Sequence, residues 1–440
     1  MLRDFIVIIA VIIMEVIIMT IIPRRELDEA LREYKWLLIY GRRKTGKTFY
    51  VREVASYDRF FIVTRSREVL DIDTGERYSH REFERMIPLL LKEYRVVVDE
   101  FHRLGESFAS VLQALSGVGR VILITSTMHF FRRVIGSPLI GLFNLRRVGL
   151  VDPRDAIIYV KRLGFEGRDL MELACIVREP WLAPMLEKYG IDIISKVGDE
   201  LRVYIPHLIG ETFIEEDIAY VARYSAILGA IADGYNRSSE ISNLLFSKGV
   251  IGKDNPGLIS QYLKNIVQMG LVKATPIEGA RRKIFYYRHV SPITDFAYYL
   301  NEKYGFFETG MNGREIATIF KKRISFYMEW FFEDLLAKVF GLQPVEIVTP
   351  DIEVDIALRE FRRVKVVAEV KWREHLKQSE LRSIEKKLNK FDALRILIVP
   401  YRGILKSTPK NVEVWDWKTI VNIAEKYSEF REALVEDNRL

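Results

Sequence analysis

Gly41-Arg42-Arg43-Lys44-Thr45-Gly46-Lys47-Thr48 has the spacing G-x-x-x-x-G-K-T, in which the residue types have separate mechanical tasks. Gly41 and Gly46 let the backbone curl so that its N–H groups face phosphate oxygens. Arg42, Arg43, Lys44 and Thr45 supply the intervening amides, Lys47 neutralises the β and γ phosphates, and Thr48 holds Mg²⁺. Val96-Val97-Val98 then lead into Asp99-Glu100. Asp99 is placed to reach Mg²⁺ through water, and Glu100 to polarise a water for in-line displacement. An acidic pair at a strand end is ordinarily a solvated turn; coupling to the glycine-rich loop reverses that reading. Thr125 and Ser126 close a later apolar run, where a polar side chain orients the water or senses the γ phosphate. Arg132 and Arg133 are candidate phosphate sensors, with solvated surface arginines as the blander alternative.

A second constellation lies near the C-terminus: Asp355, then Glu369-Val370-Lys371, with Glu333 on a preceding helical stretch. Adjacent strands bring Asp355 and Glu369 to one edge, where carboxylates bind a divalent metal and Lys371 positions or activates water. E-x-K on a strand is a weak pattern alone. The order helix-Glu, strand-Asp, strand-Glu-x-Lys, Lys-rich helix strengthens it. The six histidines are scattered without ligand spacing, and Trp372 either lines the cleft or packs.

These residues need elements to hold them. Residues 24–35 read as a short amphipathic helix and 36–40 as a buried strand. Apolar runs at 60–63, 96–98, 121–125 and 148–150 alternate with helical stretches, the pattern of a mostly parallel sheet. Residues 24–150 are therefore expected to be one nucleotide-binding domain and 151–220 a helical lid. Residues 221–300, with three short helical patterns and a hairpin, form a winged helix-turn-helix. Residues 301–440 form a second α/β domain with strands at 345–348, 354–358, 364–370 and 396–399 around a charged helix at 377–392. The fold class is thus α/β multidomain.

The stretches Arg25-Glu26-Leu27, Leu38-Ile39-Tyr40-Gly41, Gly46-Lys47-Thr48, Val98-Asp99-Glu100-Phe101 and Ser137-Pro138-Leu139-Ile140-Gly141 resemble the archaeal ATPase family, in the STAND branch of AAA-like P-loop proteins. In that family an arginine usually follows the last glycine. Leu142 stands there, so an arginine-finger role passes to Arg146 or Arg147. The resemblance implies ATP and Mg²⁺ as cofactors. It also implies a winged helix in which Ser238-Ser239-Glu240-Ile241 starts the second helix. Gln261 and Lys264 then lie on a recognition helix and Arg281-Arg282-Lys283 at a wing tip meeting DNA phosphates. The C-terminal part resembles the restriction-endonuclease-like PD-(D/E)XK fold found at the end of the same ATPases, without its proline before Asp355.

The balance of 67 Lys and Arg against 60 Asp and Glu gives a formal charge of +7, which favours anionic partners. The single cysteine, Cys175, excludes an internal disulfide or a cysteine zinc cage and fits a reducing cytoplasm. Residues 1–23 are an apolar segment. Residues 5–22 are about as long as the shortest membrane helices, which leaves three readings: a tether to the inner face of the membrane, a start at Met14 or Met19, or a buried strand. Partners are then ATP, DNA and further copies of the chain. Two functions stand: an ATPase acting on DNA, and a STAND-type ATP-dependent switch whose terminal domain is catalytically inactive.

Overall fold

The computed structural model describes residues 21–126, 134, 136, 139–213, 218–279, 283–348 and 352–437. Residues 1–20, which carry most of the candidate membrane segment, lie outside them, as do Arg132, Arg133, Ser137, Pro138, Arg281 and Arg282. No helix among the described residues is long and apolar enough to cross a membrane.

The first body is a seven-stranded sheet. Its elements begin with α1 (Arg25–Glu33), β1 (Trp36–Gly41), α2 (Lys47–Val54), β2 (Arg59–Val63), β3 (Val69–Asp71), β4 (Arg77–Tyr78) and α3 (His80–Glu93). They continue with β5 (Arg95–Asp99), α4 (Glu106–Ala114), β6 (Arg120–Ser126) and β7 (Asn144–Val148). The spatial order is β4-β3-β2-β5-β6-β1-β7, with β2, β5, β6, β1 and β7 parallel and β3–β4 an antiparallel extension. Alternation along the strands sends side chains to two covered faces, which is why the runs are almost wholly apolar. Leu38, Val96, Val98 and Leu123 pack under α3 and α4 with Phe83, Ile87 and Phe108. Leu37, Ile39, Val97 and Ile124 pack against Leu27, Leu31, Tyr50 and Val51 of α1 and α2. A capping box of Ser79 and Glu82 starts α3. The strand expected at 148–150 lies earlier, because β7 takes its register from β1 and ends where Val148 meets Gly41.

Helices follow: α5 (Pro153–Arg162), α6 (Gly167–Val177), α7 (Ala183–Tyr189) and α8 (Ile193–Thr212). Asp152 caps α5 ahead of Pro153, whose missing N–H costs nothing in the first turn. Next come α9 (Ile218–Ala232), α10 (Ser238–Ser247) and α11 (Pro256–Met269), then the hairpin β8 (Val272–Pro276) and β9 (Phe285–His289), and α12 (Pro292–Tyr304). The long α13 (Gly313–Phe340) leads to β10 (Gln343–Val345), β11 (Ile356–Glu360), β12 (Arg363–Val370), α14 (Gln378–Leu388), β13 (Leu394–Ile398), β14 (Glu413–Trp415) and α15 (Trp417–Asp437). The terminal sheet is ordered β10-β11-β12-β13-β14.

One apolar core runs through α5–α13 and one face of that sheet, including Val160, Leu170, Ile227, Leu263, Phe296, Phe331, Ile356, Leu358 and Ile396. The alternate residues Ala357, Val367 and Leu397 face Leu381, Ile384 and Leu388 of α14. The chain folds back at its end: Ile420, Val421 and Ala424 of α15 join the shared core, and Lys161 of α5 pairs with Glu425. The β8–β9 hairpin is stitched to the terminal sheet, since Glu346 N–H donates to Pro276 O at 2.9 Å and Glu278 N–H to Glu346 O at 2.8 Å.

Candidate functional site

The glycine-rich loop leaves β1 at Gly41, where a β-carbon would fall 1.9 Å from Val148 O, so β1 and β7 approach only because this residue is glycine. Lys44 (φ 60°) and Gly46 (φ 78°) adopt left-handed backbone, curling the chain into the N-terminus of α2. Lys47 Nζ donates to Gly41 O at 2.9 Å and Arg42 O at 2.8 Å, which poises an ammonium inside the curl. Burial pulls that ammonium down to about 8, with Asp99 and Glu100 opposing. From below, Arg24 donates to Thr45 O at 2.6 Å and Gly149 O at 3.2 Å.

Because β6 lies between β1 and β5, the ends of three strands converge beside this loop. Thr48 Oγ1 donates to Asp99 Oδ2 at 2.6 Å. Burial raises Asp99 to about 6, against the Thr48 hydrogen bond that lowers it. Glu100 sits in left-handed backbone (φ 55°), and its Oε2 is buried without a hydrogen-bond partner among the described residues, 3.5 Å from His102 Nε2 and 3.6 Å from Arg103 Nη2. Thr125 Oγ1 lies 2.9 Å from His102 Nδ1 and, with Ser126, is buried at the end of β6. A buried ammonium, a hydroxyl–carboxylate pair and a buried carboxylate oxygen without a hydrogen bond of normal length fit a Mg²⁺–triphosphate group.

Two neighbours of this site carry no sequence signal. Arg42 is held at 2.5 and 2.6 Å by Glu179, just beyond α6, and Pro180 sits over Gly46. A β-carbon on Gly270, at the end of α11, would fall 3.4 Å from Arg147 Nη2 and 3.8 Å from Arg42 Cβ, so the end of α11 abuts the loop. Arg146 instead reaches Tyr34 OH at 3.5 Å.

At the second constellation, Ile356 pairs with Ala368, which sets Asp355 beside Glu369. Lys371 Nζ stands 2.9 Å from Asp355 Oδ2 and 2.8 Å from Glu369 Oε2; Lys387 of α14 also meets Glu369. Burial would lower Lys371, but Asp355 and Glu369 raise it further. Glu333 does not join them. Lys273 and Arg288, paired across β8 and β9, draw Glu333 and Asp334 into a separate buried ion cluster with Arg178. The helix carboxylate beside Asp355 is Glu329, one turn earlier, which burial and then Asp355 push up to about 8. Among the described residues no group of three or more His, Cys, Asp or Glu is set to hold a metal, so the expected Glu333–Asp355–Glu369 set is not assembled. Two carboxylates with free positions for water remain compatible with Mg²⁺, which is often held that way.

On α11, Gln261 and Lys264 face solvent. Trp372 is buried against Phe332 and donates to Glu172 at 3.0 Å, so it packs rather than lining a cleft. No protein-family model and no curated protein matches the chain. Among solved structures, the Orc1 protein of Aeropyrum pernix in complex with DNA is similar at 14% identity and TM-score 0.32, covering 64% of this chain and 92% of that one. Cdc6p from Pyrobaculum aerophilum is similar at 14% identity and TM-score 0.28, covering 69% and 96%.

Proposed function

We propose that this chain binds and hydrolyses ATP at residues 41–48 and acts on DNA. The observation that carries the reading is the Thr48–Asp99 pair beside Lys47, with Glu100 Oε2 buried next to it and held only by the longer contacts to His102 and Arg103 among the described residues. The loop amides and Lys47 bind and orient the triphosphate, and excluded water keeps their charge effective. Thr48 and Asp99 would hold Mg²⁺, which when bound neutralises charge on the β and γ oxygens. Glu100 accepts the proton of the attacking water, and Thr125, fixed by His102, orients that water.

DNA is favoured by the excess of basic residues, by the solvent-facing Gln261 and Lys264, and by the Asp355–Glu369–Lys371 cluster. There Asp355 and Glu369 would hold Mg²⁺, which supplies Lewis-acid polarisation of a phosphate, while Lys371 positions water. The test is ATP hydrolysis by the purified chain with and without DNA, together with DNA cleavage in Mg²⁺ or Mn²⁺. Turnover indifferent to DNA, with no DNA binding, refutes the assignment of DNA as partner. Cleavage that survives Asp355→Ala refutes the second site.

One feature favours the switch reading instead. Arg42–Glu179 and Pro180 close the loop under the helical layer, an arrangement suited to a nucleotide-held closed state. Single-turnover hydrolysis followed by tightly retained ADP, in place of steady turnover, decides for it.

A further inference from the structure

At the far end of the β11–β12 hairpin stands Phe361, 89% exposed. Glu360 pairs with Arg363, so Phe361 and Arg362 form a two-residue turn. Its first residue has φ 53°, left-handed backbone that such hairpins ordinarily give to glycine. A bulky aromatic is therefore kept in an unfavourable backbone state with its ring in water, and neither packing nor turn chemistry accounts for it. Arg362 and Arg363, next in the chain, are exposed, as is Lys365, which pairs with Glu360 at 3.9 Å. Arg359, whose charge would add to theirs, is already paired with Glu278 at 3.0 Å. A register shift between Leu358 and Arg359 bends the strand just before the tip, a device that re-aims side chains.

We infer that this hairpin tip is a nucleic-acid contact in which Phe361 stacks on an unpaired base while Arg362 and Arg363 hold the flanking phosphates. An exposed ring followed by two exposed guanidinium groups matches the pairing of base face and backbone charge that single strands present. The inference rests on the proposed action on DNA and specifies its form, a strand with accessible bases. Asp355 begins the same hairpin, and at ~3.3 Å per residue the tip lies roughly 20 Å away. A strand running along the hairpin from the carboxylates thus reaches the ring a few nucleotides on.

The test uses the full chain and a fluorescent single-stranded oligonucleotide carrying 2-aminopurine, with vesicles of anionic phospholipid as a second probe. Phe361→Gly should weaken binding of the oligonucleotide about tenfold and abolish the 2-aminopurine response, while leaving the melting temperature equal or higher, because glycine suits the left-handed turn. Phe361→Trp should retain both signals. Equal binding by parent and Phe361→Gly overturns the stacking contact and leaves DNA action standing. A parent that binds no DNA overturns both. Vesicle binding that is lost in Phe361→Gly while oligonucleotide binding persists overturns it in favour of a membrane contact, and a melting temperature lowered by several degrees makes Phe361 structural.

Discussion

Arg42 and Glu179 lie 137 residues apart in the chain, and their side chains are only 4% and 2% exposed. Two charges withdrawn so completely from water depend on each other, and removing one partner strands the other in a medium that cannot solvate it. Arg42→Met should therefore lower stability by about 3–5 kcal/mol, with Glu179 left, among the described residues, the Trp181 indole N–H at 3.2 Å. Glu179→Leu should cost a comparable amount by stranding Arg42. Combining them should restore most of the loss, since an apolar pair of similar volume replaces both charges. Urea unfolding of the four proteins at one pH completes a double-mutant cycle whose coupling should exceed about 2 kcal/mol. Single variants that each lose less than about 1 kcal/mol, the range of solvent-exposed pairs, would refute the claim that the loop and helical layer are joined by a desolvated bond.

Lys47→Ala should abolish ATP binding measured by calorimetry, because loop amides alone do not offset a triphosphate; hydrolysis at the parental rate would remove residues 41–48 from the site. Glu100→Gln should keep ATP affinity and drop turnover at least a hundredfold, read by phosphate release, whereas undiminished turnover moves the base elsewhere. Glu346 is raised to about 7, first by burial and then by Glu333, with Arg288 opposing. Its folded-state value exceeds the unfolded one, so stability present below about pH 4.5 is lost as pH rises toward 7. Glu346→Gln should therefore gain on the parent by about 1.4 kcal/mol per pH unit between pH 5 and 7 in urea titrations, and a pH-independent difference would contradict the shift.

The seven-stranded sheet is legible in the sequence because strands covered on both faces must be apolar throughout, and 96–98 and 121–124 read that way without any partner being known. Short β3 and β4 escape notice, since three residues of Val-Leu-Asp and an Arg-Tyr pair hold no period. Asp355, Glu369 and Lys371 follow from strand alternation and antiparallel register. Glu329 and Glu333 are not separable in that way: they lie one turn apart on the same stripe of α13, and what divides them is Lys273 and Arg288, brought in from a distant hairpin. The same holds for Arg42 and Glu179. The backbone of Phe361 is equally silent, for nothing in Glu-Phe-Arg-Arg announces a left-handed turn.

β10 is one of the two edge strands of the terminal sheet, and β8 runs alongside its end through the Pro276–Glu346–Glu278 hydrogen bonds. An uncovered border strand offers free amides and carbonyls to any passing β-segment, the usual start of self-association. The β8–β9 hairpin therefore acts as a guard on that border, and it does so with backbone bonds, which tolerate changes of side chain on either partner. Removing the residues before α13 would uncover the border and strand the Glu333–Asp334 charges in one stroke, so the terminal sheet depends on a neighbour that precedes it in the chain.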